Sequence, residues 1–536
     1  MAQGEFSRRV FLKSAVVGTA AGAAGLPAAA EEEGSSKRSC GSQWERPPKQ
    51  TGNNLNLIVI VSDTFRADNL ACYGTKWLES LETPNLGRFA QNATIFQDTY
   101  AEGMPTVTIR RSLYTGRRVV PCYYFVQPDI QLPGWHPLYY EDVTLSETLA
   151  EAGYINTLIS SLYHQFKPGR NFHRGFNIWR WIRGIEGDKY GTSPHKLLDV
   201  SDIVPDEYLA QHPELNLRYF LSQIKANRNL WQQEGESISQ ITAQTAIRWL
   251  NENHGDRPFY LHVEFFDPHE PRDPPRRFLE KYMPGATGPS YIQPVYETIS
   301  LPDSIKNRFR ANYAGDANCV DYWVGNLLDT IEQFGLYENS VVVFMADHGT
   351  MLGEHEQFCK GPDKLRNQVM HVPLMIRTPG NPDAGKKVAG LTEIPDVMPT
   401  LLGRLGLKPP SRVTGKDLWP LATGETRTMH EYVVQAYGWV AAVRNQEWSY
   451  SEIWKPEARQ ALFHKYPGAP AAPYQPQLYN LVNDPKELVD VVEKYPDVAR
   501  QLSAKLKEYV SSGENLTFGS FNSQPSLDTE GNPLFK

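Results

Sequence analysis

LNLIVIVSDTFRAD, residues 55–68, passes from an apolar, β-branched run (Leu55 to Val61) into an abrupt polar end at Ser62-Asp63. Hydrophobicity that is continuous rather than alternating reads as a strand covered on both faces, the pattern of a parallel sheet with helices above and below. Tyr154 to Ile159, Phe259 to Phe265 and Ser340 to Phe344 read the same way. Between them, Leu145 to Glu151 and Asp316 to Phe334 carry helical periodicity. The expected fold is α/β: a large, mostly parallel sheet sandwiched by helices. After about residue 425 the texture changes. Tyr432 to Val443 alternates like exposed antiparallel strands, and Lys486 to Val510 reads as a charged amphipathic helix. A main domain at 55–425 and a smaller C-terminal α+β domain at 426–536 are therefore expected.

The chain start reads differently. Ser7-Arg8-Arg9-Val10-Phe11-Leu12-Lys13, a Gly/Ala-rich apolar stretch from Ala15 to Leu26 and Ala28-Ala29-Ala30 form a twin-arginine export signal over residues 1–30, followed by a polar lead-in at 31–54. A periplasmic or extracellular location is expected. The apolar run is too short to span a bilayer, and nothing downstream offers another span. With 40% hydrophobic residues in 536, the chain can bury a large core, and 40 Gly and 40 Pro indicate long structured loops. The net charge of −7 argues against nucleic acid as partner. Five cysteines (Cys40, Cys72, Cys122, Cys319, Cys359) follow no metal-ligand spacing. Oligomeric state is not legible here.

In open α/β sheets the site lies beyond the carboxyl ends of the strands. Two acidic clusters stand there: Asp63 after the first strand, and Asp347-His348 after Ser340 to Phe344. An Asp leaving a strand directly into a loop can converge on the same point as another, and a neighbouring His adds a nitrogen ligand. Such a set suits a hard divalent cation. A basic stretch, EGMPTVTIRRSLYTGRR (102–118), sets a hydroxyl, Thr106, ahead of a run of cations. It reads either as a nucleophile loop entering a helix or as a solvated basic surface.

These residues belong to a longer set. SDTFRADNLACYG (62–74), TPNLGRFA (83–90), PTVTIRRSLYTGRR (105–118), FFDPHEPRDPP (265–275), the run from Val320 to Gly361 and HVPLMIRTPG (371–380), in this order, resemble the sulfatase family of the alkaline-phosphatase superfamily. DVMPTLLGRLGLKPP (396–410) and LYNLVNDPKE (478–487) extend the resemblance to about residue 510. It implies Asp63, Asp347 and His348 as ligands of one divalent ion, with Thr106 at the nucleophile position completing the coordination. It implies Arg110 as the arginine that steadies nucleophile and metal, and His164, His269 and Lys360 as contacts to the anionic group or the leaving group. His355 is a weaker candidate. The ion is expected to be Ca2+ or Mn2+, since the donors are oxygens and an imidazole without thiolate. The expected substrate is a small-molecule or glycan anionic ester.

Four positions depart from the family pattern. Its signature has Cys or Ser followed by x-Pro-x-Arg, the first residue being oxidised to formylglycine, whereas this chain has Thr106-Val107-Thr108-Ile109-Arg110. No formylglycine is expected, because oxidising a secondary alcohol gives a ketone. Leu162 stands where many relatives have a lysine, and Ser62 where many have a further acidic ligand. The leading reading is a metal-dependent hydrolase of sulfate, phosphate or phosphonate esters, with phosphorus favoured mechanistically. A phospho-group transferase and a non-catalytic binder of anionic glycans stay open at this stage. Two aromatic-rich stretches, Phe166 to Tyr190 and Trp439 to Trp454, are expected either to line a substrate cleft or to serve packing.

Overall fold

A computed structural model describes residues 52–120, 137–139, 142–167, 169–191, 196–211, 217–255, 258–294, 301–438, 440–454 and 474–514. The expected export signal, the lead-in as far as residue 51, Cys40, Cys122, Trp439 and the chain beyond 514 lie outside these. The strands in chain order are β1 (Asn56–Ser62), β2 (Thr94–Tyr100), β3 (Gly103–Met104), β4 (Ile155–Ser160), β5 (Ile178–Trp181), β6 (Phe259–Phe265), β7 (Ser340–Ala346), β8 (Met351–Leu352), β9 (Phe358–Cys359), β10 (His371–Arg377), β11 (Lys387–Glu393), β12 (Val433–Tyr437), β13 (Val440–Arg444), β14 (Trp448–Ile453) and β15 (Gln477–Asn480). The principal helices are α1 (Thr106–Thr115), α2 (Ile238–Asn253), α3 (Asp303–Gln333), α4 (Val397–Arg404) and α5 (Pro496–Glu514).

The main sheet has eight strands in the order β11-β2-β10-β7-β1-β6-β4-β5, with only β10 running antiparallel to its neighbours. Every residue of β1, β6 and β7 is buried, which is why their sequences are apolar without alternation. Sheet order also fixes where the site forms. In register, Ser62 sits beside Ala346 on one side and Phe265 on the other, and Ser160 of β4 sits beside Glu264. Four adjacent parallel strands thus end at one edge, and the residues that follow them are Asp347-His348, Asp63, His269 and His164.

A second sheet, β15-β14-β13-β12-β3, combines the C-terminal strands with β3, which immediately precedes Thr106. Here the expectation of exposed strands is wrong: β12 and β13 are buried throughout. Alternate side chains serve two cores. Val434, Ala436, Ala441 and Val443 pack with Leu502 and Leu506 of α5, while Val433, Tyr437, Val440 and Ala442 join the main core. The C-terminal helix starts later than expected, at Pro496, a residue suited to a first turn and excluded from an interior. Helix α3 starts earlier than expected, because its first turns bury small and polar groups. Asn312 donates to the carbonyls of Ser290 and Tyr291, and a Cβ on Gly315 would meet Pro274 at 2.8 Å.

Where the two sheets meet, buried carboxyls make stability depend on pH. Glu102 accepts hydrogen bonds from the Val119 and Val120 amides. Burial and the nearby Glu393 push its carboxyl from 4.5 up to about 8, and burial takes Glu393 to about 7. Each binds its proton more tightly in the folded chain. That contribution is complete below the unfolded value and is lost as pH rises through the native ones. The melting temperature is expected to fall between about pH 5 and 8, and Glu102→Gln to flatten the slope. An unchanged slope in the variant would remove Glu102 as its source.

Candidate active site

Asp63, Asp347 and His348 present one ligand atom each within 4.8 Å of one another, all buried. Thr64 follows Asp63 in the left-handed region (φ 64°), unusual for a β-branched residue. From there its amide donates to Asp347 Oδ1 (3.0 Å) and its hydroxyl to Asp63 Oδ1 (2.7 Å). One turn thereby aims both carboxylates, leaving Asp63 Oδ2 and Asp347 Oδ2 buried without a hydrogen-bond donor. His348 Nδ1 donates to the Gly349 carbonyl at 2.8 Å, which leaves Nε2 as the lone-pair nitrogen. Gly349 has to be glycine, since a Cβ there would lie 2.1 Å from the Gln368 carbonyl oxygen. Burial holds the imidazole neutral, down to about 3.

His348 Nε2 thus points a lone pair at Asp63 Oδ1 (3.7 Å) and Asp347 Oδ2 (3.5 Å). Three electron-rich atoms converge, an arrangement that attracts a cation beyond the charge Arg110 supplies. Burial and Asp347 push the Asp63 carboxyl well up. At Asp347 burial acts in the same direction, but His348, Arg110 and the backbone amides of Thr64 and His348 outweigh it and hold that carboxyl low. An oxygen-rich set with one imidazole and no thiolate fits a single hard divalent ion.

Thr106 is the first residue of α1, and its Oγ1 lies 3.3 Å from His348 Nε2. One turn on, Arg110 is fully buried. Its Nη1 reaches Asp347 Oδ2 at 2.9 Å and its Nη2 reaches Asp63 Oδ2 at 3.7 Å. Both are ion pairs without hydrogen-bond alignment. Its Nε donates to Glu264 Oε1 at 2.7 Å. Glu264, unforeseen in the sequence, is held in turn by Ser160, Gln165 and His262. Burial opposes its charge, but Arg110, His262 and Ser160 prevail and hold it at about 2. Arg111 and Arg117 are buried as well, both paired with Asp142. The stretch 102–118 is therefore no solvated basic surface. Its helix closes on Gly116 in the left-handed region (φ 61°).

The remaining candidates form the other wall. Lys360 Nζ donates to His269 Nε2 at 2.6 Å, and His269 Nδ1 donates to the Glu270 carbonyl at 2.5 Å. Burial lowers His269 to about 4, so it accepts from the ammonium as a neutral ring. His269 and His348 stand 6.5 Å apart, ring centre to ring centre. His164 Nε2 pairs with Glu186 Oε2 at 2.8 Å, a partner absent from the sequence reading. Leu162 is fully buried in an apolar cluster with Phe266 and Trp231, and Ser62 donates to the Asp267 carbonyl at 2.8 Å rather than toward the acidic pair. His355 lies elsewhere: its Nε2 donates to the Glu487 carbonyl and braces the C-terminal segment. Of the aromatic-rich stretches, Trp448 and Trp454 serve C-terminal packing. Phe166 stacks with Trp179 and Trp181 at the sheet edge, where Trp179 is 46% exposed. Among the described residues no helix is long and apolar enough to cross a membrane.

Residues 55–407 match the family model described as Sulfatase. The chain belongs to the sulfatase family. Residues 353–512 match a second model, "N-sulphoglucosamine sulphohydrolase, C-terminal", over the segment that carries the smaller sheet. An arylsulfatase of Clostridium perfringens (strain 13 / Type A) is 25% identical over 511 residues, covering 90% of this chain and 97% of that protein. Human iduronate 2-sulfatase is 23% identical over 439 residues, covering 69% and 72%. Among solved structures, phosphonate monoester hydrolase of Agrobacterium radiobacter superposes with a TM-score of 0.61 at 20% identity, covering 90% of this chain and 99% of that one. This sulfatase-family chain is accordingly a sulfatase-like hydrolase acting on ester bonds.

Proposed function

We propose that the chain hydrolyses monoanionic phosphorus esters, using Thr106 as nucleophile beside one divalent ion. The observation that carries this is the placement of Thr106: a hydroxyl at the start of α1, 3.3 Å from a ligand nitrogen of the Asp63–Asp347–His348 set. Asp63, Asp347, His348 and the Thr106 hydroxyl would hold the ion, which lowers the pKa of a bound hydroxyl and neutralises charge on the ester oxygens. The chain's own groups do the rest. The α1 amino terminus favours the anion and the deprotonated Thr106 oxygen. Arg110, oriented by Glu264, holds both carboxylates in place and counters their charge.

Thr106 Oγ, its proton released to solvent, attacks phosphorus in line, the bond from phosphorus to the leaving oxygen breaks, and that oxygen takes a proton from the Lys360–His269 pair. Water then attacks the phospho-threonine, giving its proton back to that pair, and the Thr106 oxygen departs as the alkoxide that entered.

The test is a screen of purified protein against 4-nitrophenyl sulfate, phosphate, bis-phosphate and phenylphosphonate, with and without divalent metal. Elemental analysis is expected to return one ion per chain, Ca2+ or Mn2+. Two ions, or full activity in chelator, would overturn the single-metal assignment.

A further inference from the structure

An anion site is a costly place for a carboxylate, yet Glu186 brings one there. Its Oε2 lies 2.8 Å from His164 Nε2, with the Glu186 side chain 19% and the His164 side chain 15% exposed. It also interacts electrostatically with His269 and Lys360 of the same wall. The placement is built rather than incidental. Arg183 forks onto both oxygens of Asp188 (Nε–Oδ2 3.0 Å, Nη2–Oδ1 2.6 Å), the Gly184 amide donates to the same carboxylate, and Asn227 takes the Asp188 carbonyl. Within this pinned loop Glu186 itself adopts the left-handed region (φ 49°), a conformation that non-glycine residues keep only where the surroundings impose it.

The charge around it explains what such a group does. Arg110 brings Glu264 as its own counter-ion at 2.7 Å, and Lys360 has Glu270 Oε1 at 3.7 Å. Leu162, buried and apolar, supplies no cation where many relatives have a lysine. Glu186, by contrast, faces an imidazole that burial keeps from charging, with the neighbouring cations Arg170 and Lys167 acting in the same direction. Burial opposes its charge, but His164, His269 and Lys360 outweigh it and hold the Glu186 carboxyl below its usual range, so it stays a carboxylate that the second charge of a dianionic ester would have to approach.

We propose that Glu186 is a specificity-determining residue whose carboxylate, fixed beside His164, restricts the site to esters carrying a single negative charge and rejects dianions. This rests on the function proposed above. The test compares 4-nitrophenyl phenylphosphonate, a monoanion, with 4-nitrophenyl phosphate, a dianion at pH 8. Both share a leaving group. In Glu186→Gln and in Glu186→Ala the ratio of kcat/KM for monoanion over dianion is expected to fall by at least about tenfold, the effect of one unit charge a few ångström away in a partly buried site. Calorimetric binding of inorganic phosphate at pH 8 to the metal-loaded protein should tighten by a similar factor in both variants.

Equal losses on the two substrates, with phosphate binding unchanged, would mean that Glu186 only positions His164, and would overturn the proposal. Failure of the underlying reading shows separately: wild-type turnover would then survive Thr106→Ala. The phosphate arm tests Glu186 whatever the nucleophile.

Discussion

Thr106→Ala is expected to lower steady-state turnover of a phosphorus ester by about a thousandfold or more, the size typical of losing a covalent nucleophile when binding and electrostatics survive. Thr106 is 2% exposed and opens α1. The groups that shape the charge around it are tied elsewhere: Arg110 to Glu264 and Asp347, Asp63 to Thr64, His348 to Gly349. Removing one oxygen therefore deletes the attacking atom without dismantling the cluster. Thr106→Ser separates chemistry from packing, because it keeps the oxygen and loses only the methyl group. It is expected to retain most of the turnover that Ala abolishes. An Ala variant working within about tenfold of wild type would place the attack on water and take Thr106 out of the mechanism.

Motif order is what points to Thr106 in the sequence, and its helix also shows where the sequence stops being legible. Asp63, Asp347 and His348 follow apolar strands directly, so strand ends predict their convergence, and the pairing of β1 with β7 delivers it. Glu264 gives no such signal. It is a single carboxylate inside the apolar run FYLHVEF, and its partner Arg110 lies 154 residues away in sequence, so only tertiary structure reveals the pair. Glu186 gives no signal for a similar reason: only the turn that Asp188 pins brings this loop residue beside His164. The β12–β13 hairpin was misread as exposed because small side chains such as Ala436, Ala441 and Ala442 look weakly hydrophobic in sequence. A helix laid against one face and the main core against the other bury both. The first turns of helix α3 carry no apolar periodicity because Asn312 and Gly315 bury through hydrogen bonding and close approach.

On the proposed mechanism the same hydroxyl decides between sulfur and phosphorus. A formylglycine hydrate attacks with one hydroxyl and uses the other to expel sulfate by breaking its own C–O bond, so water never has to attack sulfur. Thr106 has one oxygen, and Thr108 stands where the family signature has proline. A sulfo-threonine formed here could be cleared only by water attacking sulfur, whereas a phospho-threonine opens by in-line attack of water on phosphorus. A sulfate monoester and a phosphate diester carry the same single charge, so Glu186 and Lys360 meet them alike and ground-state binding should differ little. Turnover should differ. Hydrolysis of a phosphodiester or phosphonate monoester is expected to exceed that of the matching sulfate ester by at least about tenfold, roughly 1.4 kcal/mol of differential transition-state stabilisation. Any release from the sulfate ester should stop after about one equivalent, leaving Thr106 heavier by one sulfo group in an intact-mass and peptide-mapping experiment. Sustained multiple turnover of sulfate esters with Thr106 unmodified would mean that clearance proceeds without a covalent adduct at this residue, and that the loss of the second hydroxyl has not moved the chain's chemistry from sulfur to phosphorus.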